Sequence, residues 1–230
     1  MKPSVAVLDY GMGNLRSVAK ALEAAGANAL VTSDTSEVLK SEALCVPGQG
    51  IFGRCMANLT SAGQDDLVRG WIEDGRPYLG ICLGMQILFE SSEERGAGSA
   101  GPQEQRGAGS AGPQEQRGAG SAGPQEQRGP ITGLSVLPGE VKRLRGDVRV
   151  PHMGWSEVNG EHFYFDHSYA VFPADDSFVT GWCTHGRRFA AMVMRGSMTA
   201  VQFHPEKSGA AGIALLGGWL ATAAIGAGTA

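Results

Sequence analysis

Short apolar runs alternate with turns and helical stretches through the first third of the chain. Leu15, Val18 and Leu22 recur at helical spacing over residues 15–25, directly after the first apolar run. Strand and helix in alternation favour a parallel sheet with helices on both of its faces. The predicted strands of this part are 4–9, 29–32, 43–46 and 78–81, the last followed by another helix.

The second half of the chain is richer in strand, and a helix closes it. Apolar alternation resumes over 134–144, and short strands are predicted at 163–165, 169–172, 178–183, 189–194 and 200–203. The predicted fold class is therefore α/β, with a mostly parallel central sheet, flanking helices and a strand-rich second half.

An eleven-residue unit, RGAGSAGPQEQ, occurs three times in succession over residues 95–127. Because no unit contains a large apolar side chain, the segment cannot bury enough surface to offset the entropy of ordering its backbone. A solenoid would need an apolar face on every repeat. We predict one domain over residues 1–230, interrupted by a flexible insertion at 95–129.

Charge and cysteine usage argue against several classes of partner. The net charge is −4 and no basic stripe is present, so nucleic acid is not an expected partner. The four cysteines form no CxxC pair and the N-terminus has no signal-peptide pattern, which predicts free thiols in a reducing cytoplasm.

The stretch 208–230 carries no charged side chain and is long enough on paper to span a bilayer. It consists mostly of Ala, Gly, Ser and Thr, which contribute little transfer free energy. Its large apolar residues Ile213, Leu216 and Leu220 recur three to four positions apart, as on one buried helix face. We predict a buried helix and no membrane partner.

The segment Gly80-Ile81-Cys82-Leu83-Gly84 fits a nucleophile elbow, in which the reactive residue lies on a sharp turn between strand and helix. A helix N-terminus favours the thiolate form of Cys82, and the Leu83 amide would point to where an oxyanion forms. A cysteine packed between two glycines is also a common core feature. The motif alone leaves catalysis and packing open.

Two further segments supply the partners that an activated cysteine needs. In His204-Pro205-Glu206 an extended backbone would project the imidazole and the carboxylate to the same side, so that Glu206 orients His204. A thiol, an imidazole and a carboxylate together attack acyl carbons through a thioester. The loop Pro47-Gly48-Gln49-Gly50 could offer a second backbone donor to an oxyanion, or it could be an ordinary turn.

With these three elements in this order the chain resembles class I glutamine amidotransferases. More narrowly it resembles the glutaminase subunits of imidazole glycerol phosphate synthases. The narrower resemblance rests on DYGMGN at 9–14, GICLGMQ at 80–86, PHMGW at 151–155, HSY at 167–169 and FHPEKS at 203–208.

The resemblance implies a flavodoxin-like domain that hydrolyses L-glutamine and docks on a cyclase subunit, to which it passes ammonia for histidine biosynthesis. It implies neither a cofactor nor a metal. Substrate would be held by Gln86 and by the strand His167, Ser168 and Tyr169, and the docking face would include Asn14, Trp155, Tyr164 and Lys207.

Other interpretations stay open at this point. Gln86 could be a solvated helix residue and Trp155 a core residue, while His162 and His185 have no partner motif and are interpreted as surface histidines. The chain could serve another synthase, such as that of pyridoxal phosphate synthesis, or be a silent scaffold. A dinucleotide site after Gly11-Met12-Gly13 is disfavoured because Arg16 replaces the third glycine.

Besides the insertion, two positions and one segment depart from the family pattern. Gln49 replaces a small apolar residue in the predicted oxyanion loop, Ser156 replaces asparagine after Gly-Trp, and the segment 157–163 is shortened. We expect Gln49 to affect the basal rate.

Overall fold

One mixed eleven-stranded sheet organises residues 2–94 and 129–226, which are the residues that the computed structural model describes, with side chains to residue 222. The first half of the sheet has the order β2-β1-β3-β4-β13, and every neighbouring pair is parallel. Its strands are β1 Ser4–Leu8, β2 Asn28–Thr32, β3 Ala43–Gly48, β4 Tyr78–Cys82 and β13 Met198–Val201.

The second half continues from β13 in the order β12-β10-β7-β5-β6, with β11 paired to β12, and is mainly antiparallel. Only β5 and β7 pair in parallel there. The strands are β5 Phe89–Ser92, β6 Ile131–Thr132, β7 Leu137–Arg143, β10 Tyr169–Pro173, β11 Val179–His185 and β12 Arg187–Arg195. Beside this sheet, β8 His152–Val158 and β9 Glu161–His167 form a separate antiparallel hairpin.

Within the described ranges, six helices flank the sheet and bury apolar side chains against it. In α1, for example, Val18, Ala21 and Leu22 are buried, and Asn14 caps the helix by accepting a hydrogen bond from the Ser17 amide. The helices are α1 Leu15–Ala24, α2 Thr35–Lys40, α3 Phe52–Ser61, α4 Gln64–Glu73, α5 Leu83–Gln86 and α6 Gly209–Gly226.

The predicted α/β alternation is confirmed. It could be recognised in the sequence because the central strands are buried on both faces and are therefore apolar throughout. Every residue of β3 and of β4 is buried, as expected for central strands of a parallel sheet covered by helices on two sides. The helix predicted after β4 is a single turn, α5. The hairpin partner β8 and helices α2 to α4 were not predicted.

The C-terminal stretch forms α6, whose side chains Leu216, Trp219 and Leu220 are buried against the sheet. None of the helices in the described ranges is long and apolar enough to cross a membrane. All four cysteines are buried and free. Residues 95–128 of the predicted flexible insertion lie outside the described residues, between β5 and β6, which pair with each other through Ser92 and Ile131.

Candidate active site

Cys82 lies at the end of β4 with a backbone conformation that side chains rarely adopt. Its φ is 55° and its ψ is −105°, outside the left-handed helical well. Strained residues of this kind persist only where the surrounding structure fixes them, and they cluster at functional sites. The elbow predicted from the sequence is therefore present, and it sets the Cys82 side chain at the carboxyl edge of the parallel strands.

Close backbone contacts explain the glycines around Cys82. A Cβ atom on Gly84 would collide with the carbonyl oxygen of Val46 in β3, and it would lie 2.9 Å from the carbonyl carbon. A Cβ on Gly80 would collide in turn with the carbonyl of Gly84. Gly48 packs equally closely against Leu83, so the turn fits between its neighbours only without side chains at these positions.

Parallel pairing of β4 with β13 brings the second motif to the same edge of the sheet. Ile81 is paired with Val201, so both strands end together, and the chain after β13 enters a 3-10 helix at Pro205–Lys207. Nδ1 of His204 lies 2.8 Å from Oε1 of Glu206, and both side chains are only 3% exposed. The predicted contact exists, but the extended backbone assumed for it does not: the 3-10 turn produces it.

The protonation of His204 is governed by its two neighbours. Burial opposes the charged form, but the Cys82 sulfur and the Glu206 carboxylate outweigh it and raise the pKa of His204 to about 10. Nε2 of His204 forms no hydrogen bond of standard geometry with any residue in the described ranges. An imidazolium beside Cys82 is the counter-ion that a thiolate requires.

Gln202, which the sequence analysis did not single out, also contacts the thiol. It is fully buried, and its Nε2 lies 3.5 Å from Sγ of Cys82. Its Oε1 accepts a hydrogen bond of 3.0 Å from Nε2 of Gln86, which donates a second one of 2.9 Å to the carbonyl of Tyr169. The interpretation of Gln86 as a solvated residue is wrong, because Gln86 is 2% exposed.

A small cavity of about 40 Å³ opens beside Cys82. Most of the residues predicted for substrate and oxyanion contacts line it, and Gly48 supports it from β3. Glu94, which was not predicted, is part of the wall; its Oε2 accepts a hydrogen bond of 2.8 Å from the Phe52 amide, and burial raises its pKa. The lining residues are Gln49, Gly50, Cys82, Leu83, Gln86, Glu94, Asp166, His167, Ser168 and Tyr169.

His167 belongs to a cluster of three histidines behind the cavity. Its Nδ1 donates to the carbonyl of Tyr169 at 2.8 Å, and its Nε2 lies 3.0 Å from Nδ1 of His152. His185 stacks on His152 with ring centroids 4.1 Å apart and contacts the Arg149 carbonyl at 2.7 Å. His185 is thus a half-buried histidine with two partners that its sequence context did not indicate, whereas His162 is exposed as expected.

Burial keeps His152 and His167 uncharged. It lowers the pKa of His152 to about 4, with a smaller effect of His185, and it lowers the pKa of His167 to about 3. Because a carbonyl only accepts, Nδ1 of His167 carries the proton and its Nε2 is an acceptor. Both ring nitrogens of His167 are thus already paired.

The residues predicted for a docking face include an exposed aromatic group. Trp155 is 57% exposed, which contradicts its interpretation as a core residue, and its ring meets that of Tyr164 edge to face at 6.0 Å. Nζ of Lys207 lies 5.6 Å from the Tyr164 ring and 3.6 Å from Asp166. Asn14 is exposed at the start of α1.

Comparisons with known proteins agree on the relatives of this chain. Residues 6–216 match the model of the family "Glutamine amidotransferase class-I". The chain is 39% identical to the "Imidazole glycerol phosphate synthase subunit HisH" of Moorella thermoacetica, over 94% of this chain and 93% of that protein. It is 38% identical to the protein of the same name in Rhodopirellula baltica, over 92% and 94%.

A solved structure described as "Crystal structure of glutamine amidotransferase" has the same fold. The TM-score is 0.66 at 21% identity, and the match covers 96% of this chain and 98% of the other.

Proposed function

Because the chain belongs to the class I glutamine amidotransferase family, we propose that it is the glutaminase subunit of an imidazole glycerol phosphate synthase and acts in histidine biosynthesis. The observation that carries this proposal is the meeting of the Cys82 sulfur, the His204 imidazole and the Glu206 carboxylate at the edge of one sheet. The names of relatives at 38–39% identity support the choice of synthase.

In the proposed reaction Cys82 attacks the side-chain amide carbon of L-glutamine as a thiolate. A carbon–sulfur bond forms, the carbon–nitrogen bond breaks, and His204 gives its proton to the departing ammonia. Water, deprotonated by His204, then attacks the thioester, which releases glutamate and restores the thiol. Glu206 stays ionised and orients His204 through the contact at Nδ1.

The oxyanion of both tetrahedral intermediates would be stabilised by backbone amides. Leu83 is the first residue of α5, and amides of a first helical turn have no partner within their helix. Gln49 and Gly50 line the same cavity as Leu83. We assign the second donor to this segment, where donors of this kind stabilise a transition state by about 3 kcal/mol.

The amino acid end of glutamine would lie along the cavity wall. The Glu94 carboxylate suits the substrate ammonium group, and the backbone at Ser168 and Tyr169 suits the α-carboxylate end. Gln86 can contribute only its Oε1, because both hydrogens on its nitrogen are already donated within the protein. His167, with both ring nitrogens paired, would support this wall rather than bind substrate through its ring.

The proposed partner is the cyclase subunit, which would receive the ammonia. Trp155, Tyr164 and Lys207 form a connected patch, and Met153 beside them is 62% exposed. Together with Asn14 this patch is our proposed docking face, and free cysteines suit a cytoplasmic location.

We further propose that residues 1–230 form one glutamine amidotransferase domain, with the repeats inserted at 95–129. The family match extends across the insertion, from residue 6 to residue 216. The pairing of Ser92 with Ile131 keeps the two ends of the insertion together, so the sheet need not change to accept it.

The test compares the parental protein with Cys82→Ala, each mixed with a cyclase subunit, and measures release of glutamate and ammonia. We expect the variant to dock normally and to lose ammonia release. Turnover near the parental rate would refute the role of Cys82, and failure of a glutamine-like electrophile to label any cysteine would favour a silent scaffold.

A second experiment decides whether this glutaminase serves imidazole glycerol phosphate synthase or the synthase of pyridoxal phosphate. The partner that raises its glutaminase activity identifies the synthase. Glutaminase activity is measured with the cyclase and, separately, with the synthase of pyridoxal phosphate. Stimulation by the second alone would overturn the assignment to histidine biosynthesis.

A further inference from the structure

Gln202 stands where it can act on the reactive sulfur without touching substrate. It follows the last residue of β13 and is fully buried, and its Nε2 lies 3.5 Å from Sγ of Cys82. It does not line the cavity beside Cys82. A role for it would therefore be exerted through the sulfur.

The direction of the Gln202 amide is dictated by its neighbours. The Tyr169 carbonyl can only accept, so Gln86 must turn its nitrogen toward it. The other hydrogen of that nitrogen requires an acceptor, so Gln202 must present Oε1 to Gln86. The remaining group of Gln202, its NH₂, then faces Cys82. A reversed amide would place an oxygen against the sulfur and a donor against a donor.

The chain of hydrogen bonds is fixed at its far end as well. The same Tyr169 carbonyl accepts a second hydrogen bond from Nδ1 of His167, whose Nε2 accepts from His152. Nε2 of His152 in turn lies 2.9 Å from the Ser156 hydroxyl. The Tyr169 carbonyl can only accept, so it sets the donor direction on both sides. The amide of Gln202 therefore has one favourable orientation.

We infer that Gln202 is a positioning residue for the proposed reaction, whose oriented amide holds the Cys82 sulfur and favours its thiolate form. The inference rests on the proposed role of Cys82 as nucleophile. A hydrogen bond donated to a charged form stabilises that form over the neutral one, and in a buried site water does not replace the donor. Gln86 donates to Gln202 and so contributes to the orientation of its amide.

The experiment measures how fast iodoacetamide alkylates Cys82 as a function of pH. Burial raises the pKa of Cys45, Cys55 and Cys183, so that alkylation near neutral pH reports on Cys82. The adduct is located by mass spectrometry of the peptide that contains Cys82. Iodoacetamide is small and does not need the glutamine contacts, which separates the sulfur's chemistry from substrate binding.

Gln202→Met removes the donor and nearly keeps the volume. We expect the midpoint of its alkylation profile to move upward by about one pH unit, equivalent to about 1.4 kcal/mol. With the cyclase present, kcat for glutamine should fall about tenfold while KM changes little. Gln86→Leu should move the midpoint in the same direction by less, and the double variant should move it no further than Gln202→Met alone.

Gln64→Met is the matched control. Gln64 is also a buried glutamine, 2% exposed, whose Nε2 donates to the carbonyls of Asp9 and Ser33. It should lose stability as Gln202→Met does, yet keep the parental alkylation midpoint.

The outcomes separate the inference from the function on which it rests. If folded Gln202→Met keeps the parental midpoint, the inference is wrong, although the parental enzyme is an active glutaminase. If Gln202→Met does not fold, an unchanged midpoint in Gln86→Leu overturns it instead. If the Cys82→Ala variant keeps glutaminase activity, the proposed function itself is wrong, and the inference about Gln202 fails with it.

Discussion

Replacing Cys82 by glycine should stabilise the protein relative to replacing it by alanine. The two variants lose the same sulfur and the same contact with Gln202, and they differ only in a Cβ atom. At φ 55° and ψ −105° the backbone lies in a region that only glycine enters without strain. The Cβ atom of alanine therefore adds strain there. The comparison therefore isolates the strain at the elbow.

The expected difference follows from two opposing effects. A residue held in such a conformation costs about 1–3 kcal/mol, and glycine relieves that cost. Glycine also loses more conformational entropy on folding, about 0.5–1 kcal/mol relative to alanine. The net expectation is that Cys82→Gly exceeds Cys82→Ala in free energy of unfolding by about 1 kcal/mol, within a range of about 0–2.5 kcal/mol.

Urea unfolding, followed by circular dichroism and analysed with a common slope, measures the difference. Ala57, an exposed residue within α3, provides the control, since Ala57→Gly should destabilise the protein by about 0.5–1 kcal/mol. A Cys82→Gly protein that is less stable than Cys82→Ala, as in an ordinary helix, would show that the elbow stores no strain.

Three further perturbations test the site. Glu206→Gln should lower the pKa of His204 and reduce kcat/KM with the cyclase by about 10- to 150-fold, the loss of one charge-assisted hydrogen bond; activity within threefold of the parent would contradict this. His152 and His167 are neutral when folded but titrate near 6.5 when unfolded, so stability is full above pH 6.5 and is lost as pH falls toward about 4 and about 3. In urea titrations His152→Phe should flatten that pH dependence by up to about 1.4 kcal/mol per pH unit, and an unchanged slope would count against it. Gly84→Ala should destabilise by about 3 kcal/mol in the same assay because its Cβ meets backbone; a loss below about 0.5 kcal/mol would show that the turn relaxes.

Local pattern predicted the parallel half of the fold well because its strands are apolar on both faces. The predicted strand 43–46 corresponds to β3 Ala43–Gly48, and 78–81 to β4 Tyr78–Cys82. The hairpin strand β8 was missed because its residues alternate between exposed and buried, and because Met153 and Trp155 put large apolar side chains on the exposed side.

The candidate site could be predicted only where a residue belongs to a local motif. Short sequence motifs with a recognisable chemistry contain Cys82, His204 and Glu206. The 3-10 turn that brings His204 and Glu206 together was not predicted. Glu94 and Gln202 gave no such signal. They reach the site through pairing of distant strands, and their polarity is informative only once their burial is known.

The histidine cluster shows the same limit. His152, His167 and His185 lie on three different strands, and no spacing in the sequence connects them. His152 stacks on His185 because the β8–β9 hairpin packs against β11.

The adjacency of Ser92 and Ile131 across β5 and β6 also bears on how this chain can change over generations. The free energy of closing a connection between fixed points grows only as the logarithm of its length, so one eleven-residue unit more or less alters it by about 0.2–0.3 kcal/mol. Selection on stability would hardly register a change in copy number here, whereas a shift of Glu94 by a single position would disturb the cavity wall.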